Sequence, residues 1–288
     1  MVENSTKSNR PWSHTDLTVQ PDPVLYLDTV HSTDFARDYK RQTFAALAIG
    51  PGDQVLDVGC GTGEDVLALA ELVGRHGRAT GLDKNPAMLI EGTRRSKNTN
   101  LPVFFQHGDA CALPFPDNSF SGCRSDRAVQ HMEDPFKAIS EMARVVRPGR
   151  RVVISEPDWA TLVIDGADLS ISKRVVDYIC ESGARNALIG RRLFALFKRA
   201  GLLRLEVRGD TFIICNFELA DRVWGLTRHA TQAMNLGLIS QEELTRWISD
   251  LRSSSGNGDF FSAIVGFMAC GEKAPPALSQ NRIGRGSR

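Results

Sequence analysis

Val55-Leu56-Asp57-Val58-Gly59-Cys60-Gly61-Thr62-Gly63 is a short apolar run that breaks into three alternating glycines, and its reading decides the fold. Gln54 to Val58 has the length and apolarity of a buried strand. Past Gly63, residues Val66, Leu67, Leu69, Ala70 and Val73 recur at helical spacing until Gly74 and Gly77 stop them. A strand, a glycine turn and a helix in that order bring bare backbone N–H groups to a ligand at a helix N-terminus.

Dinucleotides and S-adenosylmethionine both use such a turn, so alone it discriminates weakly. Here the spacing is Gly59-x-Gly61-x-Gly63 and not the GxGxxG of the dinucleotide fingerprint. Glu64 and Asp65 follow directly, in the first turn of the helix. Two carboxylates there are expected to repel a pyrophosphate. S-adenosylmethionine brings a sulfonium and an ammonium and no phosphate. The plainer role for the pair is to complement the helix dipole.

Working outward, the pattern repeats. Arg78 to Asp83 reads as a second strand, and Asn85-Pro86 as a cap and first helical residue leading into Met88, Leu89 and Ile90. Val103 to His107 and Phe120 to Ser125 read as strands three and four. Asp134-Pro135 opens a helix that Pro148-Gly149 ends, and Val152 to Ser155 is strand five. This alternation predicts a parallel sheet covered on both faces. Further on, helices are expected around Ile171 to Cys180 and Arg192 to Ala200. Leu203 to Cys215 and Phe260 to Cys270 read as long strands with a helical insertion between them. The expected fold is α/β: a Rossmann-like doubly wound seven-stranded sheet, mostly parallel with an antiparallel final strand, plus helical lid insertions.

Composition narrows the class. With 288 residues, 42% hydrophobic and 24% charged, the chain can bury a full core. A net charge of +1 advertises neither nucleic acid nor an anionic membrane surface as partner. No apolar run approaches the roughly 20 residues of a membrane span. Met1 to Arg10 is polar, without the apolar stretch of a secretory signal. The six cysteines show no CxxC spacing, so reduced cytoplasmic thiols are expected and no metal site.

The stretch from Asp53 to Trp159 resembles the class I S-adenosylmethionine-dependent methyltransferases, especially the ubiquinone and menaquinone C-methyltransferase group and related natural-product methyltransferases. The resembling segments are PGDQVLDVGCGTG (51–63), GLDKNPAML (81–89), GDACALPFPDNSF (108–120), RAVQHMEDPFKAISEMARVVRPG (127–149) and RVVISEPDW (151–159). The resemblance implies S-adenosyl-L-methionine as cofactor. Asp57 and the backbone of Gly59, Gly61 and Gly63 would lie near its methionine moiety, and Asp83 would accept from the ribose hydroxyls. Lys84 and Met88 would flank the adenosine, Asp109 and the Ala110 N–H would meet the adenine, and backbone near Arg127 would border the methionine tail. The organisation of the chain predicts a methyltransferase domain over 21–272, with lid material, outside the resembling segments, at 21–45, 160–190 and 219–258. Flexible arms are expected at 1–20 and 273–288.

Two departures stand out. Strand four usually begins Phe-Asp with apolar residues after it; here Phe120-Ser121-Gly122-Cys123-Arg124 places a cation in it, and Arg127 adds another. One or both are expected to point away or to bind a carboxylate of cofactor or substrate. The usual Pro-Gly-Gly is Pro148-Gly149-Arg150.

Methyl transfer needs alignment first, and a base only where the acceptor must lose a proton. His131 and Glu156 are the leading base candidates, with Asp158 and His229 behind them. Tyr26, Tyr39, Trp159 and Trp224 are expected to wall a pocket for a small-molecule acceptor. C-methylation of an electron-rich centre, indole- or isoprenoid-like, is favoured over O- or N-methylation. A catalytically silent S-adenosylmethionine-binding subunit and a nicotinamide-dependent oxidoreductase stay open, as do monomer and homodimer.

Overall fold

In the computed structural model, which describes residues 22–275, the sheet comprises β1 (Gln54–Val58), β2 (Arg78–Asp83), β3 (Val103–His107), β4 (Phe120–Asp126), β5 (Val146–Asp165), β6 (Leu202–Ile214) and β7 (Phe261–Lys273). Their order across the sheet is β3-β2-β1-β4-β5-β7-β6. Strands β1 to β5 run parallel, and β7 is antiparallel to both β5 and β6. This is the expected seven-stranded Rossmann-like sheet. Because β2 and β4 flank β1 on opposite sides, the chain reverses direction across the sheet there, and a crevice opens beyond the strands' carboxyl ends.

β1 is buried on both sides, so each face needs a cover. One is α3 (Glu64–Val73), whose Val66, Leu69, Ala70 and Val73 are fully buried with Val55 and Ala79. The other is α5 (Pro135–Val145) with α7 (Ile189–Arg199), packing Ile139, Met142, Leu193 and Phe197 against Leu56 and Ile154. Each large side chain contributes roughly 1.5–3 kcal/mol, well above helix-propensity differences of up to ~0.7 kcal/mol. Burial therefore decides where these helices lie. The caps follow the sequence: Asn85 accepts from the Ala87 N–H at the start of α4 (Pro86–Ser96), and Asp134 from the Lys137 N–H at α5.

A third apolar cluster roofs the carboxyl ends. It is built by α1 (Pro23–His31), α2 (Asp34–Leu47), α6 (Leu169–Tyr178) and, between β6 and β7, α8 (Phe217–Trp224), α9 (Leu226–Asn235) and α10 (Gln241–Asn257). Trp247 of α10 is buried and donates its indole N–H to Ser172 Oγ at 2.9 Å, tying α10 to α6.

Several boundaries differ from expectation: α5 ends at Val145, ahead of Pro148-Gly149, and β5 already begins at Val146. β5 does not stop at Ser155: it leaves β4 there and continues to Asp165 on β7 alone. Its register slips between Asp158↔Val265 and Val163↔Ala263, so residues 159–162 bulge from the ladder. The segment from 160, expected as an insertion, is thus strand up to Asp165. At the other end Lys273 belongs to β7 and not to a loose tail, because its Nζ donates to the carbonyls of Arg144 and Val146 and to Asn118 Oδ1. The expected arm at 1–20 and the tail from 276 lie outside the described residues.

Candidate active site

The glycine turn is held from both sides. The N–H groups of Gly59 and Cys60 donate to the Leu82 carbonyl, 2.7 and 3.0 Å away. Gly59 has φ +76°, and a Cβ on it would fall 2.3 Å from that of Ala128, so only glycine fits. Asp83 fastens the turn to β2: Oδ2 accepts from Gly61 N at 2.9 Å and Oδ1 from Asn85 N at 2.8 Å. Each oxygen retains a lone pair for a further donor. Lys84 and Asp109 pair at 3.0 Å. The Cys111 N–H, with Lys84, holds the Asp109 carboxyl below its usual range. Met88 and Ala110 are buried beside them. Asp83, Lys84, Met88, Asp109 and Ala110 thus lie along the carboxyl ends of β2 and β3.

Next to the turn is a hollow of about 410 Å³ bordered by Asp57, Gly59, Gly61, Glu64, Asp65, Lys40, Asp126 and Arg127. Its floor is ionic. Arg124 stands opposite Asp57 in the β1–β4 register, fully buried, with its guanidinium 5.0 Å from the centre of the Phe44 ring. Nη1 reaches Asp57 Oδ1 at 3.2 Å and Asp65 Oδ2 at 2.8 Å, while Lys40 Nζ of α2 reaches Asp65 Oδ1 at 2.8 Å. Burial opposes ionisation of Asp65, but Arg124 and Lys40 overcome it and hold its carboxyl well below the usual range. Asp57 goes the other way: burial lifts it to about 7 against the pull of Arg124.

This corrects the electrostatic reasoning drawn from the Glu64–Asp65 pair. Asp65 is neutralised by two cations, and Glu64 pairs with Arg95 at 2.5 Å. The pair is not an open negative mouth, and on charge alone it excludes no phosphate. It also settles the departure in strand four, since Arg124 binds carboxylates of the protein itself.

Arg127 behaves differently. It has φ +50°, an uncommon conformation for a side-chain-bearing residue, fixed by its N–H donating to Ser155 O at 2.9 Å. Its buried Nε has no hydrogen-bond partner, and neither does Oδ1 of Asp126. The other Asp126 oxygen accepts from Tyr39 Oη of α2 at 2.9 Å.

Arg127 also borders a second hollow, of about 500 Å³. Tyr26, Tyr39, Trp159 and Trp224 line it together, as the sequence suggested. Phe35 and Phe212, which sequence reading missed, complete the aromatic wall, Phe212 packing 5.1 Å from Tyr39 and 5.2 Å from Phe35 between ring centres. Gly266 is the trace Phe212 leaves in the sequence: a Cβ there would come within 2.4 Å of the Phe212 ring. Trp159 reaches this wall because it opens the β5 bulge; its indole N–H donates to Gln130 Oε1 at 2.9 Å.

Among the base candidates, Glu156 lines this hollow. It is fully buried, Oε1 accepting from Val129 N at 2.6 Å and Oε2 lacking a partner. Burial pushes its carboxyl up to about 8, against the Val129 N–H. Asp158 is spent on an ion pair with Arg191. His131, itself exposed, ends a 3₁₀ turn (Val129–His131) whose Val129 and Gln130 are buried, and it borders neither hollow. His229 is buried between Trp159 and Tyr178. Among the described residues no group of three or more His, Cys, Asp and Glu side chains is arranged to hold a metal ion, and no helix is long and apolar enough to cross a membrane. None of the six cysteines, all described, is disulfide-bonded.

Residues 55–149 match a family described as a methyltransferase domain. The chain is 38% identical over 256 residues to an uncharacterized 37.1 kDa protein of transposon TN4556 from Streptomyces fradiae, covering 88% of this chain and 72% of that one. It is 29% identical over 209 residues to a demethylmenaquinone methyltransferase of Bacillus cereus, covering 67% of this chain and 88% of that enzyme. Among solved structures, the YcgJ protein of Bacillus subtilis superposes with a TM-score of 0.58 at 19% identity, over 83% of this chain and 99% of that one, which speaks for the fold alone.

Proposed function

The chain belongs to the class I S-adenosylmethionine-dependent methyltransferases, and from that membership we propose that it methylates a small, largely apolar acceptor held in the aromatic hollow. One observation carries the reading. Arg127 is common to the hollow beside the glycine turn and to the aromatic one, so cofactor and acceptor would meet at that residue.

The residues beside the turn suit the cofactor's amino-acid end. Asp126 Oδ1, buried and unpartnered, would receive its ammonium, with Asp57 beneath; Arg127 Nε would donate to its carboxylate. Asp83 would take the ribose hydroxyls on its remaining lone pairs, and Met88, Asp109 and Ala110 would border the adenine. When bound, S-adenosylmethionine supplies the electrophilic methyl group. Everything else is the protein's part. The aromatic walls orient the acceptor and exclude water, and Glu156 Oε2 takes the proton the acceptor releases. A carboxyl near 8 is poised for that transfer at neutral to mildly alkaline pH. His131 loses its claim as base to Glu156.

Helices α1, α2, α6 and α8 to α10 serve as the lid. Tyr39 and Lys40 latch α2 to Asp126 and Asp65, so closing over the acceptor and completing the cofactor's floor are one event. We favour C-methylation of an electron-rich ring, as in specialised metabolites; the relative named as a demethylmenaquinone methyltransferase supports a flat apolar acceptor. The free thiols fit a cytoplasmic setting. Incubation with methyl-labelled S-adenosylmethionine and a panel of indoles, phenols and isoprenoids tests the reading. Label in a carbon-linked methyl of a ring is the expected result. Tight S-adenosylhomocysteine binding without transfer to any compound of a metabolite extract would make the protein a binding subunit instead.

A further inference from the structure

We propose that Arg228, in the first turn of α9, binds an anionic group of the acceptor, so that the methylated compound is an acid: an aromatic or alicyclic ring bearing a carboxylate. This rests on the aromatic hollow being the acceptor site.

Trp224 ends α8, Gly225 turns the chain at φ +65°, and α9 begins with no side-chain cap. The guanidinium of Arg228 folds back over Gly225: a Cβ there would lie 2.9 Å from Nη2 and 3.1 Å from Nε. Arg228 thus sits one helical turn past Trp224, a wall of the acceptor hollow, without itself lining that hollow. A cation in a helix's first turn opposes the dipole, so local structure does not explain it.

Its surroundings do not neutralise it either. Nε is buried and without a partner. Nη2 meets His229 Nε2 at 3.0 Å, but burial and the neighbouring Arg228 charge depress that imidazole to about 3, so the ring is neutral. Asp221, the nearby carboxylate, spends one oxygen on Thr227 N (2.7 Å) and the other on Thr227 Oγ1 (2.9 Å). Among the described residues Arg228 makes no ion pair within 4.0 Å. A half-buried cation with an unpartnered Nε and no ion-pair partner is costly, and an arriving anion reduces that cost.

Arg228 is also linked to the hollow through its walls. Its hydrogen-bonded neighbour His229 packs 6.4 Å from Trp159 between ring centres, and Tyr26 lies within electrostatic reach of both Arg127 and Arg228. The acceptor thus has two ends. The reacting end lies at Arg127 and Glu156, and the acidic end lies toward Arg228.

Calorimetric titration in saturating S-adenosylhomocysteine tests this, using indole-3-propionate, 3-phenylpropionate and cinnamate, each against its neutral amide. Wild type should bind the acids at least tenfold more tightly than the amides. In Arg228→Gln the acids should fall to the level of the amides, the amides staying within twofold; Arg228→Lys should keep part of the preference. Equal binding of acids and amides by wild type, or a preference that survives Arg228→Gln, overturns the assignment while leaving the acceptor hollow intact. If no ring compound binds although S-adenosylhomocysteine does, the hollow is not the acceptor site and the assignment falls with it. S-adenosylhomocysteine affinity and melting temperature of each variant report whether it folds.

Discussion

Replacing Glu156 by Gln should make the protein more stable and less active, and the size of the first effect follows from the site. The carboxyl ordinarily titrates at 4.5, but burial moves it to about 8 in the fold. Between those values the native state holds a proton that the unfolded chain has released, so raising the pH favours unfolding. The stability is intact below pH 4.5 and is lost as pH rises through about 8. At 1.36 kcal/mol per pH unit, the loss reaches about 5 kcal/mol by pH 8.5 and stays below about 1 kcal/mol at pH 5. Glutamine keeps the shape and can still accept from the Val129 N–H, but it carries no charge to desolvate. Urea unfolding of both proteins at pH 5 and pH 8.5 measures this, because every other titrating group is common to the two and cancels. The variant should gain about 5 kcal/mol over wild type at the higher pH and little at the lower. Its turnover should fall by about 10²–10⁴, and wild-type kcat should climb with pH through about 8, since only the ionised carboxyl accepts a proton. Parallel pH–stability curves for the two proteins would refute the reasoning.

Other outcomes follow from the same geometry. Arg124→Met leaves Asp57 and Asp65 to Lys40 alone and should cost about 3–5 kcal/mol in urea unfolding; a cost under about 1 kcal/mol would mean that the buried network is not held by this arginine. Asp83→Ala removes the anchor of Gly61 together with the ribose acceptor, and calorimetry should find S-adenosylhomocysteine at least tenfold weaker; wild-type affinity would take Asp83 out of the site. Gly59→Ala must fit a methyl group 2.3 Å from Ala128 Cβ at φ +76°. It should destabilise by about 2–4 kcal/mol, and an unchanged melting temperature would contradict the tight turn.

The parallel half of the fold was legible because each strand closes in a turn or cap signal: the glycines after Val58, Asn85-Pro86 and Asp134-Pro135. The full length of β5 was not, since the apolar run ends at Ser155 and only pairing with β7 across the sheet carries the strand on through Glu156, Pro157 and Asp158. Likewise Tyr26, Tyr39, Trp159 and Trp224 could be nominated as large aromatics near the crevice, but Phe212 sits in a long edge strand with nothing local to single it out. Its partnership with Gly266 is a cross-strand fact. The Glu64–Asp65 pair is the instructive failure. Its charge was read from neighbours in the chain, whereas Arg124 lies 59 residues and Lys40 25 residues away from Asp65. Electrostatics depends on distance in space, and sequence proximity supplied the wrong counter-ions.

The central claim is that the methyl group is delivered past Arg127 into the aromatic hollow. A crystal structure with S-adenosylhomocysteine tests it most directly. The account predicts the homocysteine end between Asp126 and Arg127, the ribose on Asp83, and the sulfur facing the space between Glu156 and Tyr39. A sulfur turned toward bulk solvent, or a cofactor seated away from the Gly59–Gly63 turn, would contradict it.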